Sequence, residues 1–124
     1  HIHLEPYVQL GGLTAVHQFV KIGIHSFVGG GSLVRKDVPP YIKAAREPLA
    51  FSGVNTIGLR RRGFTDEAVH QIEDIYRTLY VKGNNVRQAV EHITKYAPNS
   101  EYKTTILEFI ENSQRGLIRG YKNR

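Results

Sequence analysis

An aliphatic residue returns at every sixth position across the first third of this chain. The six positions are Leu4, Leu10, Val16, Ile22, Val28 and Val34. A period of six fits neither an amphipathic helix nor the alternation of a half-buried strand. It is typical of the hexapeptide repeat of a parallel β-helix, in which short strands form the flat faces of a triangular coil of about eighteen residues. We therefore predict that these side chains point into the coil.

Glycines follow three of the aliphatic residues directly, at Gly11, Gly23 and Gly29. We predict that they occupy the corners of the coil, where a positive φ or a close backbone approach is needed. The hexads cover about two coils and begin in mid-repeat without a Met, whereas stacked repeats generally need about three units to bury their faces. We therefore expect earlier coils to precede residue 1 in a longer chain.

The β-helical part is predicted to span residues 1–41, because Pro39 and Pro40 remove two backbone donors and should stop ladder pairing. Residues 42–51 are predicted to be a connector, and residues 52–124 a small C-terminal helical bundle. Its four helices are predicted to begin near Ser52, Thr65, Asn85 and Ser100. The apolar faces of these helices are narrow, so we expect the bundle to pack on the β-helix or on a neighbouring subunit of a homo-oligomer.

The net charge limits the classes of partner. There are 17 Lys and Arg against 11 Asp and Glu, a formal net charge of +6. This favours an acidic partner, which could be nucleic acid, a phosphorylated small molecule, an anionic lipid or an acidic carrier protein, and charge alone does not choose among them. We predict no nucleic-acid partner, because the sequence shows neither a clear recognition helix nor aromatic residues interleaved with the basic ones. No apolar run approaches the roughly 20 residues that span a bilayer. The absence of cysteine excludes a thiol nucleophile and is compatible with a reducing cytoplasm.

Histidines are candidates for chemistry in the β-helical part. His17 follows a buried aliphatic position and is predicted to point outward, and His1 could stack on the same edge one coil earlier. An imidazole there could act as a base, a hydrogen-bond donor or a zinc ligand, or could simply be solvated. His17 and His25 could share zinc with a histidine of another subunit. No carboxylate partner is evident, and we predict no metal.

The segment Arg60-Arg61-Arg62 is the second candidate. Guanidinium groups bind diphosphate oxygens in a planar, bidentate way, so three of them near a helix end suit a nucleotide diphosphate. The alternative is a solvated helix end, where basic residues complement the helix dipole.

With these residues in view, the chain resembles the UDP-N-acetylglucosamine O-acyltransferases that begin lipid A synthesis. The matching segments are Gly11 to Phe19 (GGLTAVHQF), Val28-Gly29-Gly30, Asp37 to Tyr41 (DVPPY), Gly53-Val54-Asn55, Gly58 to Phe64 (GLRRRGF) and Arg115 to Arg119 (RGLIR). They occur in the family's order and with similar spacing along the chain.

The resemblance implies a left-handed parallel β-helix in a cytoplasmic homotrimer, with active sites between neighbouring subunits. An R-3-hydroxyacyl group would move from acyl carrier protein to the 3-hydroxyl of UDP-N-acetylglucosamine. The donor carries its own phosphopantetheine thioester, so no other cofactor and no metal is implied. The family's general-base histidine lies in a His-x-x-His-Asp segment one coil before the position of His1. No residue of this chain is therefore assigned as catalytic.

The resemblance also carries binding roles to particular positions. It implies substrate-binding roles for His1, His17, Gln18, Asn55, Arg61 and Arg62. His17 and Gln18 would line the nucleotide-sugar cleft, and the two arginines would bind the diphosphate. Gly30 matches a position where side-chain size limits acyl length. Ile57 stands where the family often has a carboxylate, so a polar contact from that site is not expected.

Three other functions fit parts of the pattern. The nearest is another hexapeptide-repeat acyl- or acetyltransferase, against which Arg61 and Arg62 argue. A zinc-dependent β-helical carbonic anhydrase would need bound zinc. The isolated 124 residues could also form a noncatalytic module for trimerisation and carrier binding.

Overall fold

The computed structural model describes residues 2–120, and six two-residue strands form its first part. They are β1 (His3–Leu4), β2 (Gln9–Leu10), β3 (Ala15–Val16), β4 (Lys21–Ile22), β5 (Phe27–Val28) and β6 (Leu33–Val34). β1 pairs in parallel with β4, β2 with β5 and β3 with β6, in a register that joins His3 to Lys21. Three strands therefore make one coil, and we call the three pairs faces A, B and C in that order. Corner AB joins face A to face B, and corners BC and CA follow.

The aliphatic positions of the second coil form the interior. Ile22, Val28 and Val34 are fully buried. The first coil covers them on one side, while Val38 bridges to Ile22 and Ala44 pairs with Val28 on the other. In the first coil, by contrast, Leu4 and Leu10 remain 44% and 37% exposed.

The backbone at the corners of the coil differs from the prediction that glycines supply the positive φ. Positive φ belongs to the third residue after each of the first five aliphatic positions, at Tyr7, Leu13, Phe19, His25 and Gly31. Gly11, Gly23 and Gly29 do not take this conformation. The predicted close approach is correct for two of them: a Cβ on Gly11 would lie 2.3 Å from the Gly30 nitrogen, and one on Gly23 would lie 2.5 Å from the Pro40 nitrogen. These two glycines are needed for space and not for a positive φ.

The prediction that Pro39 and Pro40 stop ladder pairing is wrong. Strand β7 (Ile42–Ala45) pairs in parallel with β5 and extends face B. The prolines lie in the turn before β7, where the ladder needs no donor from them. The predicted connector is therefore a hairpin, because β8 (Ala50–Val54) pairs antiparallel with β7. β9 (Arg119–Gly120) then adds to β8 in parallel.

Four helices follow: α1 (Thr56–Arg61), α2 (Asp66–Tyr80), α3 (Val86–Tyr96) and α4 (Glu101–Glu111). The predicted helix starts near Thr65, Asn85 and Ser100 are confirmed, and each of these side chains caps its helix by accepting a hydrogen bond from the first turn. The predicted start at Ser52 is wrong: Ser52 lies in β8, and Asn55 precedes α1. No helix within residues 2–120 is long and apolar enough to cross a membrane.

Helix α2 joins the helical part to the coil. It packs against β8, α3 and α4. The buried Tyr76 hydroxyl donates to the Pro40 carbonyl (2.6 Å). Tyr80 stacks on Phe51, with ring centroids 4.4 Å apart, and donates its hydroxyl to the Ile118 carbonyl. The coil and the helices therefore share one continuous core, which fixes α1 against corner AB.

Candidate functional site

Three aromatic rings stack along corner AB. Tyr7, His25 and Tyr41 occupy successive turns of the corner, each with a positive φ of 60° to 71°. The His25 ring lies nearly parallel to Tyr7, with centroids 4.7 Å apart, and stacks more loosely on Tyr41 at 5.9 Å. The Phe64 ring approaches its edge at 5.0 Å. His25 is therefore held in a fixed orientation and is only 8% exposed.

Asn55 fastens helix α1 to this corner. Its backbone N–H donates to the Tyr41 carbonyl (2.8 Å), and its side-chain Nδ2 donates to the His25 carbonyl (3.0 Å). Asn55 is the N-cap residue of α1, yet its side chain makes no capping bond because it is used for His25. A Cβ on Gly58 would lie 2.6 Å from Asn55 Nδ2. The absence of a side chain at Gly58 therefore leaves room for this anchor.

The three consecutive arginines have different surroundings. Arg60 Nε donates to Asp66 Oδ1 (3.1 Å) at the surface, and Arg61 is exposed. Arg62 folds back: its Nη1 donates to His25 Nδ1 (3.1 Å), and its guanidinium lies 5.5 Å from the centre of the Tyr7 ring. The sequence placed the three together, but only Arg62 is attached to the aromatic corner.

The surroundings of His25 favour its neutral form. Burial and the nearby Arg62 charge lower the pKa of His25 below its ordinary value of 6.5. A zinc ion bound to His25 would compete with Arg62 for the imidazole. Within residues 2–120, no three His, Asp or Glu side chains are grouped so that they could hold a metal ion.

His17 and Gln18 lie at corner CA, away from the arginines. Both are exposed and line an open groove of about 390 Å³ with Phe19 and Arg115. Arg115 belongs to a segment that carries the family resemblance, but no pattern in the sequence predicts its position beside His17. The groove therefore gains a cation from a distant part of the chain.

Asp37 brings Arg115 to this corner. The Asp37 carboxylate accepts hydrogen bonds from the Lys21 N–H (2.8 Å) and the Ser113 hydroxyl (2.6 Å). Its backbone N–H donates to the Gly116 carbonyl, and its carbonyl accepts from the Ile118 N–H. Asp37 is 1% exposed. It therefore fastens residues 113–118 to the coil.

The remaining predicted positions lie elsewhere. Gly30 is exposed at corner BC, where a Cβ would lie 3.1 Å from the Gly12 carbonyl oxygen. Ile57 is 65% exposed in the first turn of α1. His1 lies outside the described residues. In one copy of residues 2–120, the predicted site residues therefore lie at three separate corners. His17 and Gln18 lie at corner CA, Asn55 and Arg62 at corner AB, and Gly30 at corner BC.

Comparison with known proteins identifies the family. Residues 37–118 match the family described as UDP N-acetylglucosamine O-acyltransferase, domain 2. This chain belongs to that family. The matched range includes Asn55, the three arginines, Asp37 with its partner Ser113, and all four helices.

Individual relatives of the acyltransferase family agree along nearly the whole chain. The acyl-[acyl-carrier-protein]--UDP-N-acetylglucosamine O-acyltransferase of Pseudomonas syringae pv. tomato is 38% identical over 119 residues, which are 96% of this chain and 46% of the relative. The enzyme of that name from Burkholderia orbicola is 38% identical over 123 residues, 96% of this chain and 47% of the relative.

Solved structures of family members give the same correspondence. The acyltransferase of Bacteroides fragilis superposes with a TM-score of 0.93 at 41% identity, over 95% of this chain and 46% of that one. The Francisella novicida enzyme gives 0.92 at 36% identity, over 98% of this chain and 45% of that one. The chain spans less than half the length of these relatives.

Proposed function

We propose that this chain forms part of an acyltransferase that uses UDP-N-acetylglucosamine and a 3-hydroxyacyl group on acyl carrier protein. The sugar 3-hydroxyl oxygen attacks the thioester carbonyl, forming a C–O ester bond as the C–S bond breaks. The hydroxyl proton passes through a histidine general base to the leaving phosphopantetheine thiolate. The donor supplies its own prosthetic arm, so the proposal needs no further cofactor and no metal.

The family match over residues 37–118 carries this proposal. The relatives named above have this activity in their names, and the arrangement of Arg62 and Asn55 is suited to the substrate. A guanidinium beside a buried amide anchor can bind diphosphate oxygens through paired N–H donors. Arg61, exposed next to Arg62, is proposed to add a second cation.

We propose that the site is completed between copies of the chain in a left-handed β-helical homotrimer. His17 and Gln18 lie at corner CA, whereas Asn55 and Arg62 lie at corner AB. Two different corners of one prism cannot face one another, but corners of neighbouring prisms can. The helical bundle would then face the acidic carrier protein. The chain has 17 cationic and 11 anionic side chains, and this excess of positive charge would attract the carrier.

Product formation tests the reaction. The intact protein would be incubated with UDP-N-acetylglucosamine and 3-hydroxyacyl carrier protein, and the ester product measured by mass spectrometry. A UDP-sugar lacking the 3-hydroxyl is the control and should give no product. Turnover with acetyl-CoA alone would favour a different hexapeptide-repeat acetyltransferase. Carrier binding and trimer formation without turnover would favour the noncatalytic module.

Gly58→Ala is expected to weaken UDP-N-acetylglucosamine binding about fivefold, the effect of losing one buried hydrogen bond. The new methyl group would displace the Asn55 amide from the His25 carbonyl. Alanine is the better helix former by about 1 kcal/mol, so general helix loss is not the expected cause. Calorimetric titration measures the affinity, and thermal unfolding serves as the control. An unchanged dissociation constant would contradict the role of the Asn55 anchor.

Gly30→Met is expected to shorten the preferred acyl chain, because a side chain would fill the space proposed for the end of that chain. Competition between 3-hydroxyacyl donors of different length measures the preference. Gly12→Met is the matched control: it lies at the same corner, and a Cβ there has no neighbour within 4 Å among the described residues. If both variants keep the original preference, Gly30 does not limit acyl length.

A further inference from the structure

We propose that His25 is a positioning residue whose imidazole orients the Arg62 guanidinium for the diphosphate of the UDP-sugar. The inference rests on the proposed function, in which Arg62 binds that diphosphate. It assigns His25 a role that the hexapeptide pattern alone did not provide.

The chain holds His25 more firmly than a surface corner requires. Tyr7 and Tyr41 stack on the two faces of its ring, and Phe64 packs against the edge. The Asn55 side chain fixes its carbonyl oxygen. The imidazole therefore offers Arg62 a partner with little rotational freedom.

The bond to Arg62 determines the tautomer of His25. A guanidinium carries only hydrogen-bond donors, so His25 Nδ1 must be the acceptor and the ring proton must lie on Nε2. A protonated imidazole would turn an N–H toward the N–H of Arg62 and would repel its charge. Burial and Arg62 lower the pKa of His25, which keeps the required neutral form over a wider pH range.

Other titratable and charged groups lie on or behind the rings that hold the imidazole. Tyr7 and Tyr41 of the coil stack on His25, and Glu5 of the coil and Glu101 and Tyr102 of α4 act on Tyr41. The Glu5 carboxylate accepts from the Ile24 N–H (3.0 Å). Burial raises the pKa of Tyr41, a side-chain hydrogen bond with Thr105 lowers it, and the nearby Glu101, Tyr102 and Glu5 raise it further. The direct polar side-chain contact to the imidazole within residues 2–120 is from Arg62.

Arg62 is the arginine whose ligand binding would gain from being held in place by His25. An arginine side chain loses conformational freedom when it binds a ligand, and a side chain already held in place loses less. Arg60 is drawn away by Asp66, and Arg61 is exposed. Removing the His25 acceptor should therefore weaken nucleotide-sugar binding through Arg62 while leaving the aromatic corner intact.

Two substitutions separate the acceptor from the ring. His25→Phe keeps a ring between Tyr7 and Tyr41 but removes the acceptor. The backbone accommodates it, since Tyr7, Phe19 and Tyr41 have positive φ at equivalent corners. His25→Asn removes the ring but restores an acceptor oxygen, and asparagine tolerates this conformation well.

Calorimetric titration of UDP-N-acetylglucosamine into the intact protein at pH 8 is the test. We expect His25→Phe to raise the dissociation constant about three- to tenfold, and His25→Asn to recover part of the loss. Combining His25→Phe with Arg62→Ala should add little to Arg62→Ala alone. Equal affinity of His25→Phe and the unmodified protein would overturn the inference and leave the proposed function standing. No binding to the unmodified protein would overturn both.

The pH dependence gives a second readout. As pH falls below the ordinary histidine value of 6.5 toward the lowered pKa of His25, protonation should break the bond to Arg62 and weaken binding. His25→Phe should lack this component, so the two affinities should converge at acidic pH. Parallel pH profiles would contradict the inference.

Nitrogen NMR of histidine-labelled protein without ligand tests the contact itself. We expect His25 to be neutral with Nδ1 unprotonated, and Arg62→Ala to change the Nδ1 signal. A proton on Nδ1 in the unmodified protein would overturn the inference whatever the binding data show, because Arg62 could not then donate to it.

Discussion

Arg62→Ala is expected to raise the dissociation constant for UDP-N-acetylglucosamine about ten- to hundredfold, the range for hydrogen bonds to a charged group. Arg62 is the arginine that the coil holds, through His25 and Tyr7. Arg61→Ala should have a smaller effect in the same direction, because the Arg61 side chain is exposed and would have to be ordered on binding. Affinity for the acyl donor should change much less in both variants.

Arg60→Ala is the matched control for this prediction. It removes the same formal charge one or two residues away, but Arg60 is paired with Asp66 at the surface. If general electrostatic attraction were responsible, all three variants would weaken binding equally and the effect would disappear at high salt. Equal losses for the UDP-sugar and the acyl donor would contradict the diphosphate assignment.

Asp37→Ala is expected to lower the free energy of unfolding by about 2–4 kcal/mol, since it removes a buried carboxylate and leaves two partly buried donors without their acceptor. The lost contacts are to the Lys21 N–H and the Ser113 hydroxyl. Denaturant titration measures the loss. Asp74→Ala is the control: this carboxylate makes an exposed pair with Arg77, and its removal should cost less than about 1 kcal/mol.

The same substitution has a second expected effect. Releasing Ser113 should loosen residues 113–118 and allow Arg115 to leave the groove beside His17 and Gln18. Hydrogen exchange should therefore increase at the Ile118 amide, which donates to the Asp37 carbonyl. Unchanged stability and unchanged exchange would show that the Asp37 carboxylate does not fasten this segment.

The repeating part of the fold could be predicted because its information is local. Aliphatic residues six apart specify which side chains enter the coil, and Ile22, Val28 and Val34 do so completely. The helix starts near Thr65, Asn85 and Ser100 could also be predicted, since capping acts within one helical turn. The prediction that Pro39 and Pro40 stop ladder pairing was wrong because the effect of a proline depends on whether it lies in a strand or in a turn. That position is decided by pairing between β7 and β5.

The candidate site was predictable in residue type more than in arrangement. Three adjacent arginines indicated anion binding, but their neighbours could not be read from spacing: Arg60 lies with Asp66, whereas Arg62 reaches His25, 37 positions away in sequence. Asp37 and Ser113 are 76 positions apart, and no local pattern signals that they meet. The position of Arg115 depends on that contact, so the sequence could not place it.

The bond between Asp37 and Ser113 also bears on the order in which the molecule can be completed during synthesis. Each strand of the coil finds its partner 18 positions later, so the coil can grow as the chain emerges. Ser113, the partner of Asp37, lies 76 positions later, and the synthesis of those residues takes roughly 4–15 s at typical translation rates. During that interval the Asp37 carboxylate lacks its Ser113 partner. The groove beside His17 therefore acquires Arg115 only after the four helices have been made.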